Sequence, residues 1–510
     1  MGAYLSKQKF ELIDNVIEIL LENRKIAISL LCAGTIIGKL LTDRLANLPP
    51  GPLNLPYLNA GWRLFFYPRA DVSLSSLNNE YKSDIVSCRF FSSPIIIVIN
   101  SPRLIKELFK KNATTFSDRD SLKRMQGSLS GEEFSDVIFS LNYGDKFLQA
   151  KKFILRSFYQ DNHDMLRHTL DFQCDQFIAN VKKFDGSTLT NLKPMLSTSL
   201  ARIICSFTIS IDSSINDEDL NEFLRITNDF NNGFGTVGSF VPNPYPWLWR
   251  KIFYSSIDIK FRKCIREYRG FLRKFVNMYE KIDSDSRGTS LLAELLNNKT
   301  IDKGNELLDT LLMMTIDNPT SICEAFMWLF LYLASYQDVQ EKARKLIAEL
   351  TNNTRKITIE DRAKLPYFSA LIYETFRCCN LQPFSPVHHV KEGLKFQGYN
   401  IPKGSIVLTN YTAMNKDPNV FPDPEKFNPE RFLNEDGSFK PVDSLTPWGF
   451  GPRSCPGERL SKMELFLIVA RVLQNFRLAF PDNYNPDLTP IFDSFCVPGP
   501  FPIRFIPITE

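Results

Sequence analysis

Apolar side chains recur at positions 10, 13, 17 and 20 and at 12, 16 and 19, while Glu11, Asp14, Glu18 and Glu22 fall on the opposite face. That spacing predicts an amphipathic helix over Phe10 to Leu21. From Ile26 to Thr42 the chain reads IAISLLCAGTIIGKLLT, interrupted by Lys39. The run falls short of the roughly 20 residues a spanning helix uses. It is expected to anchor the chain to a membrane, the alternative being a helix buried against the protein surface. Lys7, Lys9, Arg24 and Lys25 precede it and Lys39 and Arg44 follow, so basic residues do not set its orientation. No small-residue cleavage site follows, which argues against a signal peptide. Met1-Gly2 with Ser6 also fits the myristoylation pattern.

The pattern then breaks at Leu48-Pro49-Pro50-Gly51-Pro52. Proline fixes φ and cannot extend a helix, so a stiff hinge is expected there. Helical periodicity dominates the remainder, with short strands expected around Ile85 to Ile99 and Leu394 to Leu408 and loops at 283–287 and 297–305. No internal repeat and no second linker interrupts it. The expected organisation is an amphipathic helix and membrane anchor over 1–47, then one domain over 48–510. The fold class is mainly α with a small β region.

Composition narrows the function. The chain has 510 residues, 44% hydrophobic and 23% charged, which suits a folded body and excludes disorder and a multi-span membrane protein. A net charge of +4 is too even for a nucleic-acid partner. The 42 Phe suit either a large apolar cavity or a Phe-rich core. Ten Cys include no C-x-x-C pair, and the neighbours Cys378 and Cys379 cannot easily bridge each other, so a disulfide framework is not expected. Sequons at Asn112, Asn298, Asn352 and Asn410 are expected to stay unused in a cytosol-facing body.

The strongest chemical signal lies in Pro447-Trp448-Gly449-Phe450-Gly451-Pro452-Arg453-Ser454-Cys455-Pro456-Gly457-Glu458, followed by apolar helical periodicity from Leu460 to Leu473. Glycines and prolines force a tight loop that delivers one Cys to a helix start, where free N–H groups and the helix dipole favour a thiolate. A lone thiolate with no Cys or His companion is a poor zinc site. It is the axial ligand used when a porphyrin fills the other positions of iron.

These residues resemble the haem-binding loop of the cytochrome P-450 family, Phe-x-x-Gly-x-Arg-x-Cys-x-Gly, with Trp448 in place of Phe. Glu374-Thr375-Phe376-Arg377 and Pro429-Glu430-Arg431-Phe432 match two further family motifs in the expected order. The resemblance implies a buried cluster of Glu374, Arg377 and Arg431 with a structural role, and Cys455 as the ligand of the haem iron. It offers Arg453 and His388 for the haem propionates, His388 being preferred over His389. The family's Trp-x-x-x-Arg appears as Phe147 and Lys151, so Lys151 keeps the charge without the indole donor. The stretch from Asn231 to Trp249 resembles the animal microsomal branch with steroid and aryl-hydrocarbon hydroxylases.

One departure matters. The helix above the haem normally carries Ala-Gly-x-Asp/Glu-Thr, an acid and an alcohol that relay protons. Here the chain reads Met314-Thr315-Ile316-Asp317-Asn318-Pro319-Thr320-Ser321. Counting back without gaps from Trp328 and Val339-Gln340 places Thr320 at the acid position and Ser321 at the alcohol position. Anchoring on the acid instead pairs Asp317 with Asn318. Pro319 either kinks this helix into a reshaped groove, by removing the hydrogen bond to Thr315, or marks the helix start.

The resemblance thus implies a single-domain haem-thiolate monooxygenase. It would insert one oxygen atom from O2 into a hydrophobic substrate such as a sterol, fatty acid or xenobiotic. Electrons would come from NADPH through a diflavin reductase, docked on a basic patch with Lys151, Lys152 and Arg453. The expected location is the endoplasmic reticulum membrane, facing the cytosol. A reductase-independent isomerase or dehydratase and a non-catalytic haem-binding sensor remain open.

Overall fold

The computed structural model describes residues 29, 33–34, 38, 46–52, 70–89, 94–119, 138, 141–157, 163–209, 215–237, 255–282, 290–297, 305–492 and 495–508. The predicted amphipathic helix lies outside these. Of the apolar run over 26–42, only Ser29, Ala33, Gly34 and Gly38 are described, as helical and exposed. Among the described residues no helix is long and apolar enough to cross a membrane.

The proline segment is docked as well as stiff. Ser87 donates from its backbone N–H to the Pro50 carbonyl at 2.8 Å and from its hydroxyl to the Pro49 carbonyl at 2.6 Å. Ala46 and Asn47 carbonyls accept from Asn400, and the Asn47 side chain donates to Gly398. Two separate parts of the β region therefore fix where the chain enters the body.

Both predicted strand regions fold as strands. The edge strand β1 (Ile85–Cys88) pairs antiparallel with β2 (Ile96–Ile99), Val86 opposite Val98. Further along the chain come β3 (Thr188–Leu189), which belongs to another sheet, then β4 (His388–His389), the hairpin β5 (Leu394–Phe396) and β6 (Tyr399–Ile401), and β7 (Ile406–Thr409). β2 runs parallel to β7, with Ile97 opposite Val407, and β4 closes the four-stranded sheet β1-β2-β7-β4. All residues of β1, β2 and β7 are buried. Leu74 and Leu77 of helix α1 (Ala70–Tyr81) share a core cluster with one set of their side chains, and Leu104 and Leu108 of α2 (Pro102–Lys111) with the other. A sheet covered on both faces needs continuous apolar strands in place of alternation.

Helices supply the main body: α3 (Asp145–Arg156), α4 (His163–Lys182), α5 (Leu192–Thr208), α6 (Asp217–Val237), α7 (Ser255–Glu280), α8 (Leu291–Asn297), α9 (Asn305–Ser335), α10 (Gln337–Thr351), α11 (Pro366–Cys379), α12 (Tyr411–Asn415) and α13 (Glu458–Asn475). The longest, α9, runs through Pro319 without stopping. The reading in which this helix begins after Pro319 is therefore corrected: packing against α5, α7 and α11 outweighs one lost backbone hydrogen bond. Its second half is buried all round, and Trp328 donates its indole N–H to the Cys496 carbonyl at 2.8 Å. The Thr315 hydroxyl, one turn before Pro319, shares a 2.5 Å hydrogen bond with the buried Tyr268 hydroxyl of α7. The turn before Pro319 is thus braced from the side. The fold is mainly α with a small β region.

A Cβ at Gly51 would overlap the backbone carbonyl of Ser87. Gly51→Ala should therefore lift the proline segment from β1 and cost about 1–3 kcal/mol, read as a lower melting temperature with faster exchange of the Ser87 amide; unchanged exchange would contradict the docking.

Candidate active site

The Cys loop is shaped by its own backbone. Gly449 and Gly451 take left-handed φ of 73° and 63°, which a side chain would strain. The Cys455 N–H returns to the Trp448 carbonyl at 2.7 Å, closing the loop immediately ahead of α13. Trp448 stands where the family pattern has Phe. Its ring packs edge-on to Phe376 at 5.2 Å, and its indole N–H finds the Ser461 hydroxyl at 2.7 Å. A buried indole is tolerated because its donor is satisfied. A Cβ at Gly457 would stand 3.7 Å from Cys455 Sγ, an ordinary van der Waals contact, so the glycine packs directly beside the sulfur.

Cys455 opens onto a cavity of about 280 Å³. Ser321 and Ile322 of α9, Ile204 of α5 and Phe376 of α11 line it as well. Ser321 thus shares a cavity with Cys455, while Thr320 is half-buried and does not line it. The side chain of Asp317 lies outside the described residues.

Three cations also line the cavity, Arg119, Lys151 and Arg453, and no carboxylate does among the described residues. Arg119 is 3% exposed. Burial, with the Arg453 charge beside it, pushes its guanidinium down to about 9. Burial likewise pushes Arg453 down to about 10, against the pull of Asp118. Arg453 lies 3.8 Å over the Phe147 ring and donates to the Ser117 carbonyl at 2.8 Å through Nε. Lys151 donates to the carbonyls of Pro452 and Ser454 at 2.6 and 3.0 Å, so its ammonium ties α3 to the Cys loop. Burial lowers its pKa and the neighbouring Cys455 opposes the fall.

His388 is buried just off the cavity. Its Nδ1 meets the Phe116 carbonyl at 2.7 Å and its ring lies edge-on against Phe109, so it does not line the cavity. Burial, then the charge of Arg119, holds it far below the usual imidazole range. Arg119 occupies the cavity edge instead, reaching the carbonyl of the preceding residue in β4's approach, Val387. Sequence reasoning missed Arg119. Its only local signal was a basic side chain in Phe116-Ser117-Asp118-Arg119 with nothing to mark it as buried.

The three charges of the cluster meet in the structure. Glu374 is 0% and Arg377 1% exposed, with Arg377 Nε on Glu374 Oε2 at 2.7 Å and Arg431 Nε on Oε1 at 3.0 Å. The carbonyls of Asn415, Pro424 and Lys426 take the remaining Arg377 donors, and the Asn428 N–H donates to Glu374 at 2.7 Å. Burial pulls Arg377 down, yet the hydrogen bonds and charge of Glu374 hold it above its ordinary value. The cluster pins the segment from 415 to 431 against α11, whose Phe376 touches Trp448 of the Cys loop.

The comparisons with known proteins agree with this geometry. The family model of cytochrome P450 matches residues 49–501. The chain belongs to the cytochrome P450 family. It is 27% identical over 458 residues to cytochrome P450 2J5 of Mus musculus, covering 86% of this chain and 87% of that protein. Against cytochrome P450 2C28 of Mesocricetus auratus it is 27% identical over 483 residues, with 90% and 94% covered. Against cytochrome P450 1A1 of Canis lupus familiaris the figures are 25% over 472 residues, with 87% of each covered. As a P450 of the animal microsomal branch the chain is a haem-thiolate monooxygenase. The residues fit that cofactor: one Cys on an apolar-walled cavity, and a polar edge that three cations and, among the described residues, no carboxylate line, suited to a dianionic group.

Glu374→Ala would leave two guanidinium groups buried without their carboxylate. The expected cost is about 3–5 kcal/mol, seen as loss of folded, haem-loaded protein, with Glu374→Gln intermediate in melting temperature. Normal haem content and stability in Glu374→Ala would contradict the structural role.

Proposed function

We propose that this P450 inserts one atom of O2 into a hydrophobic substrate of the sterol, fatty acid or xenobiotic type, with electrons from NADPH through a diflavin reductase. The observation that carries the reading is the single cavity shared by Cys455 and Ser321, apolar on its walls and cationic at its polar edge. Haem bound there would supply an iron centre that activates O2 for transfer to an unactivated carbon. Cys455 is the ligand to that iron. Arg119 and Arg453 would place positive charge at the propionates, while Lys151, whose donors go to Pro452 and Ser454, keeps the Cys loop in shape. Apolar walls exclude water from the reacting face.

The Ser321 hydroxyl holds and passes a proton at its Oγ, with Thr320 at the acid position of the gapless register. Ser321 lining the cavity supports that register; the register that uses Asp317 remains the competitor in the test below. The departure at Thr320 is the observation that favours the second reading, a reductase-independent isomerase or dehydratase.

Residues 1–47 act as anchor and 48–510 as the catalytic domain, at the cytosolic face of the endoplasmic reticulum, as the microsomal relatives suggest. The expectation about sequons needs one correction. Asn410 is fully buried, caps α12 and donates to Asn100, so in the folded protein it offers no glycosylation site in any compartment. The basic patch for the reductase is also redrawn. Lys151 and Arg453 spend their donors on the Cys loop and on inner carbonyls, which leaves Lys152 as the exposed member.

Ser321→Ala should leave substrate binding largely unchanged but divert reducing equivalents from product to hydrogen peroxide. The product rate should fall on the order of tenfold to a thousandfold, since a positioned proton donor contributes about 10²–10⁴ and water in the groove replaces part of it. Under the competing register Asp317→Asn, and not Ser321→Ala, would uncouple. Turnover with an organic peroxide as fast as with NADPH and reductase would favour the second reading.

A further inference from the structure

The centre of the molecule, where α5 crosses α9, is almost wholly apolar: Leu196, Leu200, Phe326 and Trp328 are each fully buried. One polar seam runs through it. Lys193, in the first turn of α5, is exposed at its outer end. Its ammonium forms an ion pair with Glu324 of α9, whose side chain is 6% exposed against 55% for the lysine. Beside them the half-buried Ser197 hydroxyl meets Cys323 Sγ at 3.3 Å, and the Cys323 thiol in turn faces the Lys193 carbonyl. Nothing in core packing calls for a carboxylate here. A buried charge costs several kcal/mol to desolvate, and a pair of this kind is often no more stabilising than apolar side chains of the same volume.

Position along α9 gives the carboxylate a use. Glu324 follows Ser321 by three residues, and side chains three apart on a helix lie on neighbouring positions of one face, with Cβ atoms roughly 5–6 Å apart. Ser321 lines the cavity shared with Cys455, and Lys193 reaches solvent. The seam therefore leads from bulk water, through one ammonium and one buried carboxylate, to the turn of α9 that carries the cavity hydroxyl. The position immediately before Ser321 holds Thr320, which cannot supply a proton as a carboxylic acid would.

We infer that Glu324 and Lys193 form the proton supply line to Ser321, taking the part of the acid that Thr320 does not supply. This rests on the monooxygenase reading, whose stoichiometry is O2, one substrate R–H, two electrons and two protons giving R–OH and water, the electrons coming from NADPH through the reductase. Each proton delivered takes the same path. The Lys193 ammonium gives a proton to the Glu324 carboxylate, and Glu324 passes it toward Ser321 Oγ, directly or across one water, while the serine passes its own hydroxyl proton into the cavity. The Lys193 amine then takes a proton from bulk water, which restores the ion pair with no net change in either residue. Glu324 acts through Ser321 and is a positioning and supplying residue.

The test compares Glu324→Gln, Glu324→Asp and Lys193→Met in the full-length, haem-loaded protein with reductase. Glu324→Gln keeps the shape and hydrogen-bonding capacity and removes the transferable proton. Its product rate should fall on the order of tenfold or more, its peroxide per NADPH should rise, and its solvent deuterium isotope effect on product formation should increase. Glu324→Asp should recover part of the coupling, and Lys193→Met should lie between wild type and Glu324→Gln. A role limited to stapling α5 to α9 would lower the melting temperature and leave the peroxide ratio and isotope effect at wild-type values, which would overturn the inference.

A second readout needs no turnover. Photolysis of the carbon monoxide complex of the reduced protein should perturb one carboxyl band in the infrared difference spectrum, and Glu324→Gln should remove it. If wild type consumes no NADPH with reductase, the monooxygenase reading falls and this band alone decides the seam. Its presence and loss on substitution sustains the link to the cavity, and its absence in wild type rejects it.

Discussion

The buried Glu374 carboxylate is the point on which the site's geometry hangs. Two guanidinium groups and one backbone N–H converge on it, and the guanidinium donors it does not take up go to carbonyls in the segment from 415 to 431. Moving such charges out of water costs more than their attraction returns unless every donor and acceptor is matched, so the cluster earns little stability of its own. What it provides is position. α11 and a long irregular segment become one rigid unit, and α11 presents Phe376 to both Trp448 and the cavity. Apolar side chains could hold α11 equally tightly. They could not fix the path of an irregular segment, which needs directional partners for its free carbonyls.

The cavity edge obeys the opposite rule. Arg119 is buried and Arg453 half-buried, no carboxylate among the described residues lines the cavity beside them, and burial depresses both. Two cations held close in a low-dielectric setting are a cost in the empty protein that an anionic ligand offsets. The same arrangement therefore makes folding stability depend on loading: a ligand that binds only the folded state stabilises it in proportion to its occupancy. Rigid charge pairing in the clamp and a row of cations along the cavity edge are two halves of one design, the first locating the sulfur and the second suiting the cofactor's acidic edge.

Much of this was legible in the sequence, and the boundary is physical. The Cys loop announces itself because glycines at left-handed φ, a proline-bounded turn and a following apolar helix all sit within a dozen residues. The Glu374 and Arg377 pair was legible because helical spacing alone puts both on one face. Arg431 needed the family resemblance, since its partner lies far off along the chain. Arg119 was beyond reach, because nothing near it in sequence reveals that β4 and the Cys loop will bury it. His388 is only half legible: its type and position suggest a propionate donor, and tertiary packing brings the Phe116 carbonyl to its Nδ1, so Nε2 is the ring nitrogen left for that role. Pro319 left two local outcomes open, and only the packing of α9 against its neighbours decides that the helix continues. Glu324 carried no signal, since one acid in an apolar helical run reads as an ordinary surface position until Lys193 of another helix is seen to cover it.

The central claim is that Cys455, delivered by its loop to the cavity, ligates the haem iron as a thiolate. The most direct measurement is the absorption spectrum of the reduced protein under carbon monoxide, taken on wild type and on Cys455→Ala. The account predicts the strongly red-shifted Soret band of a thiolate-ligated haem in wild type and its complete loss in the variant, with the other cysteines without effect. Persistence of that band in Cys455→Ala, or its absence from haem-loaded wild type, would contradict the assignment.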